Sequence, residues 1–157
     1  MVNKKTILIV EDDEIILEII SYILDECGRY SCLKVINGRE ALTVLSSSLE
    51  TSPKIDCILL DQRMPDMNGI EFLREKQKLS EELAKIPVVF VTAHSLSDVP
   101  VEASQTNVVV GYIEKPAFEE KVLQYLDRIF VKNELELMIQ EFKELCGKQN
   151  TAFWQVK

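Results

Sequence analysis

The chain has 157 residues, of which 46% are hydrophobic and 28% are charged, and its formal net charge is -8. This length and composition are typical of one globular domain with a modest extension. The acidic balance argues against unspecific binding to nucleic acid or to a membrane surface, and no apolar segment approaches the roughly 18 residues of a membrane span. We therefore expect neither direct DNA binding nor membrane association.

Apolar runs of four to seven residues alternate with stretches in which apolar residues recur at helical spacing. This alternation predicts βαβ units and a parallel sheet. The strands are expected at 6–10, 31–36, 55–60, 88–91 and 108–114. Helices are expected between Ile15 and a stop at Gly28, over 38–45, from Ile70 to Leu79, and over 118–130.

The segment 95–107 should hold a further helix, before the last strand. Pro100 and the scarcity of periodic apolar residues predict a short or distorted element there.

The four cysteines give no support for a zinc or redox site, because none form a C-x-x-C pair and the chain has one histidine. Cys57 lies within an apolar run and is predicted to be a buried thiol. A reducing cytoplasm is the expected compartment.

Beyond residue 130, apolar residues continue at steps of four and three. They are Val131, Leu135, Met138, Phe142 and Leu145. This is a heptad spacing over only about two heptads, which is short for a coiled coil. Two interpretations remain open: a tail helix packed on its own domain, or a helix that forms a homodimer.

Polar residues stand where four of the predicted strands end. Glu11 and Asp12 follow the first strand, Asp61 the third, Thr92 the fourth and Lys115 the fifth. The carboxyl ends of parallel strands meet at one edge of a sheet, where ligand sites form in α/β proteins. Carboxylates, a hydroxyl and an ammonium at such an edge predict a magnesium and phosphoryl site.

Four motifs in this order resemble the receiver domain of two-component response regulators, over roughly residues 4–130. They are the acidic pair after the first strand, Asp61 followed by Met64-Pro65 and Asn68-Gly69, Thr92-Ala93, and Lys115-Pro116. The resemblance implies a flavodoxin-like, doubly wound sheet of five parallel strands in the order 2-1-3-4-5, with helices on both faces. Residues 131–157 would then be a helical extension, or the start of a linker to an output domain.

The resemblance implies that Asp61 is the nucleophile that accepts a phosphoryl group. It also implies a Mg²⁺ ion bound by Glu11, Asp12, Asp61 and the backbone carbonyl of Arg63, while Asp13 caps the first helix. Taken alone, an aspartate at a strand end predicts a turn or a helix cap.

By the same resemblance, Thr92 donates its hydroxyl to a phosphoryl oxygen and Lys115 pairs with another. Tyr112 corresponds to the family's switch aromatic, which moves inward when Thr92 is drawn toward the phosphoryl group. From the pattern alone, Thr92 and Tyr112 are ordinary strand residues and Lys115 is a surface lysine.

The implied function is a phosphoacceptor that receives its phosphoryl group from a sensor histidine kinase or a phosphotransfer protein. Phosphorylation would change the surface formed by the fourth helix, fifth strand and fifth helix, and so control a downstream protein or an output domain. Such a domain modifies itself and is a switch, not a turnover enzyme.

Two alternatives are open. One is a receiver-like protein-interaction module that is not phosphorylated. The complete set of Asp12, Asp61, Thr92 and Lys115 argues against it, and the weak helical pattern over 95–107 keeps it open. The other is an enzyme on a similar fold, such as an aspartyl-phosphate phosphatase. That class needs a second aspartate two residues after the nucleophile, where this chain has Arg63.

Overall fold

The computed structural model describes residues 4–50, 53–93, 107–115, 121–131, 135 and 138–140. The chain divides into two units, Met1–Leu123 and Gln124–Lys157. Most of the segment 95–107 lies outside the described residues, as does the greater part of the heptad-spaced tail. The predictions for those segments, and the predicted boundary at residue 130, stay predictions.

Five strands form one sheet in the first unit. They are β1 (Lys5–Val10), β2 (Tyr30–Val35), β3 (Cys57–Leu60), β4 (Val88–Thr92) and β5 (Val109–Glu114). The strand order is β2-β1-β3-β4-β5, and every neighbouring pair is parallel. This confirms the predicted flavodoxin-like, doubly wound sheet.

The burial of the strands fits a sheet that is covered on both faces. Every residue of β3 and β4 is buried, whereas the edge strands β2 and β5 are partly exposed. Near-continuous apolar runs are expected for parallel strands that are covered on both sides. Cys57 is fully buried, as predicted, and burial raises the pKa of its thiol to about 12.

The helices begin and end at local signals in the sequence. They are α1 (Glu14–Cys27), α2 (Gly38–Ser47), α3 (Gly69–Lys76), α4 (Glu81–Ala84) and α5, the helical residues 121–131. Asp13 caps α1 by accepting from the backbone N–H groups of Ile15 and Ile16, which confirms its predicted role. Gly28 ends α1 in the left-handed conformation, with φ 71°.

Three details of the helix prediction were wrong. Helix α3 ends at Lys76, short of Leu79, and α2 runs on to Ser47. The helix α4 was not predicted, because one turn gives no apolar periodicity. Its signal is Ser80, which caps the backbone N–H of Leu83. Within the described residues, no helix has the length and apolar character needed to cross a membrane.

Lys76 is a charged side chain in the core. It is 0% exposed, and its Nζ donates to the backbone oxygen of Ala84 at 2.7 Å. This bond ties the end of α3 to the last residue of α4. Burial lowers the pKa of Lys76 to about 8, because a desolvated ammonium is disfavoured relative to the neutral amine.

Replacing Lys76 with Met should change the pH dependence of stability. The pKa of Lys76 falls from 10.5 to about 8 on folding, so the unfolded wild type binds more protons between these pH values. The wild type's free energy of unfolding should therefore rise with pH, relative to K76M, by up to about 3 kcal/mol across this window. Well below pH 8, where Lys76 is protonated in both states, the difference between the two proteins should be constant.

Urea unfolding of both proteins from pH 7 to above pH 10 measures this difference. Lys78→Met is the matched control, because Lys78 lies two residues away with an exposed side chain. The difference in the free energy of unfolding between wild type and K78M should not change with pH in this way. If the difference in the free energy of unfolding between wild type and K76M does not change with pH, the inferred desolvation of Lys76 is contradicted.

Candidate functional site

Five of the predicted site residues lie at the carboxyl edge of the sheet: Glu11, Asp12, Asp61, Thr92 and Lys115. Backbone hydrogen bonds continue the strand pairing past the strand ends: Glu11 N donates to Val35 O at 3.1 Å, and Asp61 N to Val10 O at 2.9 Å. Lys115 N likewise donates to Thr92 O at 2.8 Å. The residues that follow β1, β3 and β5 are therefore held by main-chain bonds to the last residues of β2, β1 and β4, and not only through their side chains.

Three carboxylates converge at this edge. Glu11, Asp12 and Asp61 each offer one oxygen, and these oxygens lie within 4.8 Å of one another. Glu11 is 2% exposed and Asp61 is 6% exposed, whereas Asp12 is exposed to solvent. Buried carboxylates this close repel each other unless a cation lies nearby.

Lys115 supplies a cation in this structure. Its Nζ donates to both oxygens of Glu11, at 2.9 and 2.7 Å, and to Asp61 Oδ1 at 3.1 Å. The Lys115 side chain is 10% exposed, so these charge-assisted bonds are only weakly screened by water. The interpretation of Lys115 as a solvated surface lysine is therefore wrong.

Burial sets the protonation of the two inner carboxylates. It raises the pKa of Glu11 to about 7, with the hydrogen bond from Lys115 acting in the opposite direction. Burial also raises the pKa of Asp61, and again Lys115 opposes the shift. Further positive charge at this edge would favour the ionised forms of both carboxylates.

The donor set fits Mg²⁺. This ion prefers oxygen ligands at about 2.1 Å and keeps several waters, so opposite ligands lie about 4.2 Å apart. The carboxylate oxygens can therefore reach one ion with small side-chain adjustments. The exposure of Asp12 leaves room for coordinated water.

Arg63 lies beside the site through its backbone. Its N–H donates to Asp61 Oδ2 at 3.1 Å, so the two oxygens of Asp61 have different partners. This bond helps to orient the carboxylate. The role of the Arg63 carbonyl as a metal ligand stays a prediction.

Thr92 is the last residue of β4, at the same edge of the sheet, and its side chain is buried. Its backbone oxygen accepts a hydrogen bond from Lys115 N. Tyr112 lies two residues before the end of β5 and is half-buried. Its ring stacks on Phe90, with 5.5 Å between the ring centroids and 5° between the ring planes. The predicted movements of Thr92 and Tyr112 stay predictions.

Gly69 has no room for a side chain, and this constraint was not predicted from the sequence. A Cβ atom at Gly69 would lie 2.6 Å from the backbone oxygen of Asp61 and 2.9 Å from Phe90 Cε1. Real Cβ atoms do not approach other atoms this closely. The pair Asn68-Gly69 was a signal for this position, but the contact depends on a strand that is distant in sequence.

The chain matches the response regulator receiver domain over residues 7–127. It belongs to this family, and these residues form the receiver domain of a two-component response regulator, as the motifs predicted.

Individual relatives agree with this assignment. The chemotaxis protein CheY of Pseudomonas aeruginosa is 33% identical over 124 residues, which cover 79% of this chain and 94% of the relative. The structure of CheY4 of Vibrio cholerae is 25% identical, with a TM-score of 0.69, and the match covers 82% of this chain and all of that one.

A further solved structure is the receiver domain of a sensor histidine kinase from Pseudomonas aeruginosa. It has a magnesium ion coordinated in its active site cleft. It is 25% identical to this chain, with a TM-score of 0.67, and the match covers 80% of this chain and 97% of that one.

Replacing Gly69 with Ala should lower the free energy of unfolding by about 1–3 kcal/mol, because the methyl group meets backbone and an aromatic ring. Gly38→Ala is the matched control. Both glycines are the first residue of a helix, but the nearest atom to a Cβ at Gly38 is Cγ of the flexible Met67 side chain, at 2.9 Å. Urea unfolding compares the two variants. An equal or larger cost for G38A would contradict the account of Gly69.

Proposed function

We propose that this receiver domain accepts a phosphoryl group on Asp61 with the help of Mg²⁺, and that phosphorylation switches its binding to a partner. The observation that carries the proposal is the convergence of Asp61, Glu11, Asp12 and Lys115 at one sheet edge. A buried carboxylate between a cation and further carboxylates is suited to phosphoryl transfer, which depends mainly on positioning and charge neutralisation.

Asp61 is the nucleophile in this mechanism. One of its carboxylate oxygens forms a bond to the phosphorus atom as the bond from phosphorus to the donor breaks. With a phosphohistidine donor, the imidazole nitrogen leaves with the electron pair. Mg²⁺ supplies neutralisation of the phosphoryl oxygens when it is bound.

The two oxygens of Asp61 are already distinguished by their partners. Oδ2 accepts from the backbone N–H of Arg63, and Oδ1 accepts from Lys115 Nζ. The main-chain bond limits rotation of the carboxylate, which favours a defined direction of attack.

Lys115 changes partner in the proposed switch. In this structure it offsets the charges of Glu11 and Asp61. Phosphorylation adds phosphoryl oxygens at the same edge, and Lys115 then pairs with one of them while Thr92 donates to another. Tyr112, which begins packed against Phe90, changes its position in response.

The phosphodonor is a sensor histidine kinase or a phosphotransfer protein in the cytoplasm, and the output is a downstream protein or an output domain. The domain catalyses its own phosphorylation and dephosphorylation, and turns over no other substrate. The magnesium ion in the receiver domain of the kinase described above supports the role given to Mg²⁺.

Replacing Asp61 with Asn should abolish phosphorylation, because the amide is not a nucleophile. Intact mass after incubation with acetyl phosphate and Mg²⁺ should show a gain of one phosphoryl group in the wild type and none in D61N. The matched control is Asp66→Asn, an exposed aspartate of the same loop, whose positive φ of 67° asparagine tolerates.

The D66N variant should gain the phosphoryl group as the wild type does. A phosphoryl adduct that survives in D61N would contradict the assigned acceptor. A folded wild type that binds Mg²⁺ but gains no mass would favour the interaction module that is not phosphorylated, or a strict need for the cognate kinase.

Replacing Lys115 with Ala should leave Mg²⁺ binding intact, because all three carboxylates remain, but should uncouple phosphorylation from the switch. Nuclear magnetic resonance titration measures Mg²⁺ binding. The ¹⁹F shift of fluorotyrosine at position 112 reports the switch. Lys85→Ala is the control, because Lys85 is exposed and pairs with Glu81. A full response of Tyr112 in phosphorylated K115A would show that the role given to Lys115 is wrong.

A further inference from the structure

Phe90 lies between the loop that carries Asp61 and the ring of Tyr112. It is fully buried in β4, and its ring stacks on that of Tyr112. Its Cε1 would lie 2.9 Å from a Cβ atom at Gly69. The same Cβ would lie 2.6 Å from the backbone oxygen of Asp61. Phe90 thus joins Tyr112 to a backbone position that is itself packed against Asp61.

The sheet register brings the two aromatic rings together. Phe90 and Tyr112 are direct partners in the pairing of β4 with β5. Leu60, the residue before Asp61, is the direct partner of Phe90 on the other side, in β3. The position of Phe90 is therefore fixed by main-chain pairing to both neighbouring strands, and its ring has little room to move independently.

Stacking holds the Tyr112 ring without help from its hydroxyl. This hydroxyl is buried, and among the residues that the structure describes none accepts or donates a hydrogen bond to it. A buried hydroxyl without a partner is unfavourable, so this packing of Tyr112 is held by the ring and opposed by its polar end.

From these contacts we infer that Phe90 is a positioning residue that couples the ring of Tyr112 to the loop between Asp61 and Gly69. If Tyr112 shifts, Phe90 loses the contact on its face, and a shift of the Phe90 ring changes its packing at Gly69, where the backbone oxygen of Asp61 also lies close. By linkage the coupling acts in both directions. The inference rests on the proposed function only in that Asp61 is the phosphoacceptor.

The first experiment requires no phosphorylation. Tyr112→Leu removes the stacked ring, and the amide resonances of Asp61 and Gly69 report whether the loop responds. The substitution is made in the wild type, in Phe90→Leu and in Phe72→Leu. Phe72 is an equally buried phenylalanine of the same core, so it is the matched control.

The amide shifts caused by Tyr112→Leu should be clear in the wild type and in the F72L background. They should fall by about half or more in the F90L background, which is the signature of a coupled pair in a double-mutant cycle. Equal shifts in all three backgrounds would overturn the inference. Phe90→Met, which keeps more of the side-chain volume but lacks the ring, replaces F90L if that variant does not fold.

The second experiment uses acetyl phosphate and Mg²⁺. The F90L variant should gain one phosphoryl group, as measured by intact mass, while the ¹⁹F response of position 112 falls by about half or more relative to wild type and F72L. A full response in phosphorylated F90L would also overturn the inference. If the wild type gains no phosphoryl group, it is the proposed function that is in question, and the amide experiment still decides whether Phe90 couples Tyr112 to the loop.

Discussion

The ion-pair cluster of Lys115 with Glu11 and Asp61 is the interaction on which the site depends. Glu11 and Asp61 are buried and lie close together, and burial raises the pKa of both carboxyls. The ammonium of Lys115 offsets that effect by bonding to both. Because the attraction acts where solvent screening is weak, a change of charge at this edge strongly alters the electrostatic energy of the cluster.

The parallel sheet makes this cluster possible. Glu11, Asp61 and Lys115 follow three different strands, and main-chain bonds past the strand ends hold each of them. Since side chains alternate between the faces of a sheet, a slip of one residue in strand register would separate these groups. The core of β1, β3 and β4 fixes the register with buried side chains, so fold stability and site geometry have the same origin.

Much of this arrangement could be predicted from the sequence, because apolar runs mark buried parallel strands, and Glu11, Asp61, Thr92 and Lys115 stand where strands end. Very short elements, and side-chain positions that depend on contacts between elements, could not be predicted in this way. Helix α4 is one turn long, and the burial of Lys76 depends on the backbone oxygen of Ala84 in that turn. A lysine near a helix end otherwise predicts an exposed side chain.

The contacts around Phe90 are a second feature that could not be predicted from the sequence. In the sequence, Phe90 is one apolar residue in a strand, and nothing local separates it from its neighbours. Its inferred role comes from its packing against Gly69 and Tyr112, which lie 21 and 22 residues away and approach it only in the folded sheet. Because such contacts depend on packing between elements, they emerge only from the three-dimensional structure.

The central claim is that the carboxylate of Asp61 carries the phosphoryl group. Borohydride reduction of the phosphorylated protein tests it most directly, because an acyl phosphate is reduced to an alcohol and leaves homoserine in place of aspartate. Peptide mass spectrometry then locates the converted residue. Conversion is expected at Asp61, and only after incubation with a phosphodonor and Mg²⁺. Conversion at another carboxylate, or a phosphorylated protein that resists reduction, would contradict it.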